Sequence, residues 1–333
     1  MAGRADGSAG ERGMRMTVSA LVAIDLSPAW RERLRAQFPE VRFRFATDAT
    51  EVAAAAAEAE VILVHSLTRD AVVAANGLRW LQAGTAGVSH LLYSELRERG
   101  VILTNARAQG VPMAEMVLAM MFAFAVRLPL FVEARGRRAP VAMRAVREKF
   151  ELQGQTLVIL GMGDVGGTLC RKAAGIGMRV LGVRRRPELP CEGADRVVGV
   201  DRLREVLPQA DHLVVTLPLT QGTRDFIARP EVALLRPGTY LYNVGGGATV
   251  QRQALLEGLH SGRIAAAGLD VTDPDPLPPD DPLWDMPNVL LTQHTSGSSA
   301  ANHDRIAQLF AANLRNYLDG RPLLNVVDQS LGY

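Results

Sequence analysis

The stretch QTLVILGMGDVGG, residues 155–167, narrows the folds open to this chain more than any other. Residues 157–160 are a short apolar run that reads as a buried strand. Gly161, Gly163 and Gly166 follow in a G-x-G-x-x-G spacing, and a helix with Leu169, Cys170 and Ala173 on its inner side should start there. The first glycine permits a tight turn, the second lets backbone approach a pyrophosphate, and the third lets the helix press against the strand. The N-terminus of such a helix adds unpaired N–H groups and the positive end of its dipole, which suit an anion. Glycines at this spacing also occur for packing alone. Here residues 179–183, RVLGV, read as the next strand and supply the βαβ context that an anion site needs.

With 333 residues the chain has length for two domains with separate cores. Apolar residues make up 48% and charged ones 22%, and the net charge of +2 provides no global field for nucleic acid or membrane. Cys170 and Cys191 stand in neither a C-x-x-C nor a metal-ligand spacing, so the sequence predicts no disulfide and no metal site. Residues 1–16 lack an apolar core and read as a disordered tail, not a signal peptide. The most apolar stretch, 116–126, is too short for a bilayer and reads as a buried helix, so a cytoplasmic protein is expected.

Taken in order, 17–25, 41–45 and 61–64 read as strands, with helices at 28–38 and 51–59 between them. In the first helix Trp30, Leu34 and Phe38 recur at four-residue spacing. Residues 78–92 read as a strand running into a small-residue turn, and 101–104 as a further strand. A helix from about Pro112 to Leu128 is apolar nearly all round and should be buried. The basic segment 135–149 has no interleaved aromatic residues, which makes it a solvated connection, not a nucleic-acid patch. Beyond it, strands are expected at 157–160, 179–183, 197–199, 212–217, 239–243, 264–269 and 289–291. Repeated βαβ units imply parallel, doubly wound sheets. A final amphipathic helix over 300–318 is stopped by Gly320 and Pro322, and the tail with Leu323, Leu324, Val326 and Val327 returns as a strand or packing arm.

Four stretches in order carry a family likeness: the glycine turn at 161–166, VVTLPLTQGTRDFI at 214–227, LRPGTYLYNVGGGATV at 235–250, and AGLDVTDPDPLPPDDPLWDMPNVLLTQH at 267–294. With them the chain resembles the D-isomer-specific 2-hydroxyacid dehydrogenases from about residue 17 onward. The resemblance implies an α/β fold of two Rossmann-like or flavodoxin-like domains with doubly wound parallel sheets. A dinucleotide-binding domain would span 108–297, a substrate domain 17–107 with 298–333, and the active site the cleft between them. It also implies a homodimer formed through the cofactor domain.

Family members move a hydride between C4 of a nicotinamide and C2 of a 2-oxo or 2-hydroxy acid. The resemblance makes His294 the group that exchanges a proton with the substrate oxygen, work that suits a side chain titrating near neutrality. Taken alone, it would read as a structural histidine. The family's partner carboxylate, usually Glu, corresponds to Asp275, with Asp273 less well aligned. The shorter side chain predicts a longer or water-bridged pair. The family's substrate arginine, in N-x-x-R-G, corresponds to Gly246 in Asn243, Val244, Gly245, Gly246, Gly247. Such a donor is worth about 3 kcal/mol or more, so its loss slows ordinary 2-oxo acid reduction by roughly two to four orders of magnitude. An engineered knock-out, a member with another substrate or a compensating residue such as Arg107, and a non-catalytic binder all fit this glycine. The fold should accept an arginine at this position. The resemblance also implies substrate contacts at Thr85, Ala86, Gly87 and Val88. Cofactor contacts are implied at Gly161, Gly163, Asp164, Val165, Gly166, Leu217, Pro218, Thr223, Val244, Gly245, Asp270 and Gly297.

An NAD-specific Rossmann unit carries Asp or Glu at the end of its second strand, where this chain has Arg184, Arg185 and Arg186. Guanidinium groups pair with a 2′-phosphate, so Arg184 and Arg185 favour NADP(H) over NAD(H). A surface arginine run is the plainer alternative. The expectation is an NADPH-dependent reductase of the glyoxylate or hydroxypyruvate type. A cofactor-binding sensor or scaffold with little turnover is the competing function.

Overall fold

The runs VILV at Val61–Val64 and TLVIL at Thr156–Leu160 are buried at every position. Strands take this form when helices cover both faces of a parallel sheet. In the computed structural model, which describes residues 18–330 and 332, each run lies inside a separate sheet. The tail read as disordered, 1–16, lies outside the described residues.

The chain divides into two compact units. The first takes in residues up to Gly84, His90–Asn105 and Ala307–Gln329, and the second Thr85–Ser89, Ala106–Ile306 and the last residues. The segments Thr85–Ser89 and Ala106 onward fall in the same unit, where Ala106 N–H donates to the Thr85 carbonyl at 3.0 Å.

The first unit runs β1 (Val18–Ala23), α1 (Pro28–Gln37), β2 (Val41–Phe45), α2 (Ala49–Ala56), β3 (Val61–Val64), α3 (Arg69–Ala74), β4 (Trp80–Ala83), α4 (Ser94–Glu98) and β5 (Ile102–Thr104). Its strands are all parallel in the order β2-β1-β3-β4-β5, the flavodoxin-like arrangement. Ser27 caps α1 by accepting from Trp30 N–H, Pro28 opens it, and Trp30 and Leu34 turn inward. Trp80 is fully buried, stacks on Phe310 at 5.4 Å and donates from Nε1 to Thr104 Oγ1 at 2.9 Å, so its one polar atom is satisfied. Among the described residues the C-terminal segment returns as an arm that makes one antiparallel bridge, Thr104 to Val326.

The second unit continues with α5 (Gly110–Ala125), α6 (Leu128–Arg137), α7 (Met143–Val146), β6 (Thr156–Leu160), α8 (Asp164–Gly175), β7 (Arg179–Val183) and β8 (Arg196–Val198). Then come α9 (Leu203–Val206), β9 (His212–Val215), α10 (Arg229–Leu234), β10 (Thr239–Asn243), α11 (Arg252–His260), β11 (Ile264–Leu269), β12 (Val289–Leu291) and α12 (Ala300–Leu318). The parallel order β12-β11-β10-β9-β6-β7-β8 reverses direction between β6 and β9. Ligands of open α/β sheets bind at the carboxyl ends of strands at such a switch point.

Two sequence expectations change here. The single buried helix over 112–128 is instead α5 and α6, bent by 66° where Arg127 enters the left-handed region at φ 56°. Only one side of α5 is covered: Ala114, Val117 and Met121 are buried, while Phe122, Val126 and, on α6, Leu128 and Val132 face outward. The strand expected to reach 217 ends at Val215, because Thr216 turns its hydroxyl onto the Gly161 carbonyl at 2.7 Å. Among the described residues no single helix is long and apolar enough to cross a membrane.

Candidate active site

The switch point is built by the glycine turn. Gly161 has φ 96°, a conformation that a side chain would strain. At Gly166 a Cβ would stand 1.9 Å from the Gly161 carbonyl oxygen, so α8 rests directly on the turn. Gly163 faces open space, with no atom within 4 Å of where its Cβ would be, and α8 begins there without a side-chain cap. Exposed backbone beside the uncapped N-terminus of a helix is the cradle a pyrophosphate requires. Asp164 does not point freely at that cradle: its Oδ2 accepts the Gly110 N–H at 2.8 Å. Burial raises its carboxyl above the usual range, opposed by the Gly110 hydrogen bond and the charge of Arg107. Val165 is half-buried beside it.

At the end of β7, Arg184 N–H donates to the Val198 carbonyl at 3.1 Å, and its side chain is half-buried. Its Nε and Nη2 are buried without a hydrogen-bond partner. Leaving charged donors in that condition costs free energy unless an anion accepts from them. With the open backbone at Gly163, these donors fit the phosphates of a dinucleotide. Arg185 and Arg186 are exposed.

Across the switch point, Leu217–Thr223 forms a self-bonded loop. Thr223 Oγ1 donates to the Pro218 carbonyl at 2.6 Å and accepts from Thr220 N–H at 2.8 Å. This loop is tied to the glycine triplet after β10: Gly246 N–H donates to the Leu217 carbonyl at 3.0 Å, and Val244 N–H to the Val215 carbonyl at 3.1 Å. Asn243 folds the triplet, accepting from Gly245 N–H and donating to the Gly246 carbonyl, both at 3.1 Å. Sequence reading passed over Asn243 in that role, although an Asn before glycines is a turn signal.

Gly246 itself has ordinary extended dihedrals, φ −109° and ψ 131°. The limit is space. A Cβ there would stand 2.6 Å from Leu219 Cβ and 2.9 Å from Leu219 N. The expectation that the fold accepts an arginine at 246 therefore fails for this loop position, since backbone at Leu219 must move first. Arg107, the candidate substitute, is exposed and bears electrostatically on Asp164.

His294 follows β12 in a turn where Gln293 and His294 both have left-handed dihedrals, φ 53° and 58°. Asp270, at the end of β11 and 3% exposed, holds this turn. Its carboxylate accepts from Thr292 Oγ1 at 2.6 Å, Thr295 N–H at 2.8 Å, Ser296 N–H at 3.0 Å and the Ser296 hydroxyl. Sequence reading gave Asp270 only a cofactor contact. Its several acceptor bonds could not be foreseen from a lone Asp in a motif.

The His294 Nδ1 stands 2.7 Å from Asp275 Oδ2. The pair is direct, neither long nor water-bridged, because the turn held by Thr272 Oγ1 on the Pro274 carbonyl at 2.7 Å carries Asp275 to the ring. Asp273 lies 3.7 Å from Arg224 instead. The His294 side chain is 67% exposed, which leaves it accessible to a reactant. Gly297 packs against the Gln109 side chain.

In the Thr85–Val88 turn, Thr85 Oγ1 donates to the Gly87 carbonyl at 2.8 Å, Val88 is buried and Gly87 is exposed. No group of His, Cys, Asp and Glu among the described residues could hold a metal ion.

Residues 118–296 match the family model for the D-isomer specific 2-hydroxyacid dehydrogenase NAD binding domain. A glyoxylate reductase of Korarchaeum cryptofilum is 31% identical over 288 residues, covering 81% of this chain and 82% of the relative. A D-3-phosphoglycerate dehydrogenase of Methanocaldococcus jannaschii is 30% identical over 279 residues. The match covers 81% of this chain but spans about half, 52%, of that longer relative. Among solved structures, a D-isomer specific 2-hydroxyacid dehydrogenase from Xanthobacter autotrophicus Py2, in complex with NADPH and MES, superposes with TM-score 0.80. It is 28% identical, and the match covers 95% of this chain and 100% of that one.

Proposed function

The chain belongs to the D-isomer specific 2-hydroxyacid dehydrogenase family, a family of NAD(P)-dependent oxidoreductases, and from that premise we propose that it reduces a small 2-oxo acid with NADPH. The direct contact between His294 and Asp275 carries this reading. A carboxylate accepting from Nδ1–H fixes the ring's tautomer and orientation. The other ring nitrogen, Nε2, is then the atom that delivers a proton to the substrate's carbonyl oxygen as negative charge grows on it. A protein that only binds a dinucleotide has no chemical need for this pair.

The residues that would hold the cofactor are the turn Gly161–Gly166 for the pyrophosphate and Arg184, aided by Arg185, for a 2′-phosphate. Held by these residues, a nicotinamide cofactor would supply the hydride for C2. The partnerless Nε and Nη2 of Arg184 support NADP(H) over NAD(H), as does the NADPH carried by the Xanthobacter relative. The Thr85–Val88 turn supplies backbone N–H groups for the substrate's carboxylate. Glyoxylate and hydroxypyruvate are the leading substrates, since the Korarchaeum relative is a glyoxylate reductase. The apolar residues facing outward on α5 and α6 support a homodimer.

Gly246 favours a second reading, a cofactor-binding relative with little turnover, because the guanidinium donor to carboxylate and carbonyl is missing. A panel of 2-oxo acids with NADPH, followed at the nicotinamide absorbance band, separates the two. Oxidation of NADPH dependent on one acid supports the reductase. Tight NADPH binding without turnover on any acid supports the binder.

A further inference from the structure

Cys170 and Cys191 are twenty-one positions apart and belong to no sequence motif, yet the fold packs Cys191 against the buried cluster that contains Cys170. Cys170 lies on the inner side of α8 and is fully buried. Cys191 is half-buried in the connection from β7 to β8. Both are free thiols, and Cys170 Sγ donates to the carbonyl of Glu192, the residue after Cys191, at 3.4 Å.

The connection is held against the helix by its backbone. Gly193 has φ 85°, and a Cβ on it would stand 3.1 Å from Arg171 Cα and 3.2 Å from the Cys170 carbonyl oxygen. Ala194 N–H closes a turn on the Cys191 carbonyl at 3.3 Å. Asp195 anchors the far end, donating its N–H to the Val180 carbonyl at 2.9 Å and accepting Val180 N–H at 2.7 Å. The segment carrying Cys191 is therefore fixed against the helix turn that carries Cys170.

We propose that Cys170 and Cys191 are a modification site at which a peroxide forms an intramolecular disulfide, tying the β7–β8 connection to α8. Burial and the neighbouring Cys191 push the Cys170 thiol up to about 12, so it keeps its proton at neutral pH. Cys191, the more exposed, reacts first. Its sulfur attacks one peroxide oxygen, the O–O bond breaks, and water leaves behind a sulfenic acid. The Cys170 sulfur then attacks Cys191, the S–O bond breaks, and the Cys170 proton departs with the hydroxide as a second water. Two thiols lose two electrons and one peroxide becomes two waters. The same connection opens with Arg184, Arg185 and Arg186, so the disulfide restrains the segment that carries them.

The test treats the folded full-length chain with hydrogen peroxide, alkylates it under denaturing conditions and maps the peptides by mass. A linked peptide pair containing Cys170 and Cys191, released by dithiothreitol, is the expected result. Cys191→Ser should abolish the link. Cys170→Ala should strand Cys191 as a sulfenic acid that dimedone traps. Alkylation of both thiols after peroxide, or oxidation of Cys191 to sulfinic acid while Cys170 remains alkylatable, would overturn the proposal. The unmodified chain decides the matter even if the Cys170 variant fails to fold, and the readout does not depend on cofactor or turnover.

Discussion

The backbone carbonyl of Asp270 accepts the N–H of His294 at 2.5 Å, while the Asp270 carboxylate gathers Thr292, Thr295 and Ser296 around the same turn. The histidine is placed by a carboxylate whose acceptors are spent on its neighbours. Asp270→Asn sets an amide donor against the Ser296 N–H and hydroxyl, which loosens the turn. Turnover should then fall about a hundredfold, the scale expected for His294→Ala as loss of a general acid. Steady-state rates at saturating NADPH, on variants shown to be folded, check this. An Asp270→Asn protein with near-normal turnover would break the link.

The second prediction concerns Arg184. Its guanidinium has two buried donors without partners, so a 2′-phosphate should gain charge-assisted hydrogen bonds there. Fluorescence titration is expected to show NADPH binding at least about tenfold more tightly than NADH, a modest share of such bonds. Arg184→Asp should remove or invert the preference. Equal affinities in the unmodified chain would sink the assignment.

Gly246 is constrained by its neighbour and not by its dihedrals. Gly246→Ala should destabilise the protein by about 1–3 kcal/mol, as overpacking does, because Leu219 must yield. Gly246→Arg meets the same obstacle. Its gain on glyoxylate, about tenfold or more in kcat/KM, is expected when Leu219→Gly removes the Cβ contact and leaves the backbone at 219 free to give way. Thermal denaturation and kinetics on the single and double variants test both halves; a fully stable Gly246→Ala protein would refute the steric account.

His212 supplies a pH prediction. Its ring is buried against Tyr240 and Tyr242, with Nε2 2.6 Å from Gln155 Oε1. Burial lowers its pKa from the ordinary 6.5 to about 4. The unfolded chain therefore binds a proton at this site that the folded chain refuses between those values. The contribution is fully present above pH 6.5 and is lost as the pH falls toward 4, about 3 kcal/mol in all. Urea unfolding across this range should lose stability with acid, and His212→Gln should flatten the dependence. An unchanged slope in the variant would assign the effect elsewhere.

The outer face of α5 and α6 exposes Phe122 (44%), Val126 (43%), Leu128 (50%) and Val132 (55%). We propose that a second copy of the chain covers this patch. Sedimentation should report a dimer at micromolar concentration, and Leu128→Glu with Val132→Glu should yield a folded monomer. A monomeric unmodified chain would exclude this interface.

Much of the second sheet was legible because parallel strands write themselves as short apolar runs, and β10, β11 and β12 fall where those runs do. The final helix likewise follows its amphipathic period from Ala300 to Leu318. The break at Arg127 was not legible, since a non-glycine residue carries the left-handed turn and the apolar pattern continues through it. The candidate site was legible as residue types but not as contacts. The direct reach of Asp275, the grip of Asp270 and the wall at Leu219 all depend on loops from different strands meeting at one edge of the sheet. No local pattern encodes such meetings, and the packing of the Cys191 segment on Cys170 escaped for the same reason.

The consecutive left-handed residues Gln293 and His294 have a consequence for how this protein can be made more robust. Each such residue costs about 1 kcal/mol or more, against a whole-domain stability of only about 5–15 kcal/mol. A glycine at 293 would relieve part of that cost and also widen the conformations open to the next residue, the one whose aim matters. Ruggedness and aim thus pull this turn in opposite directions, and improvements in heat resistance are best sought in parts of the fold that hold no reactant.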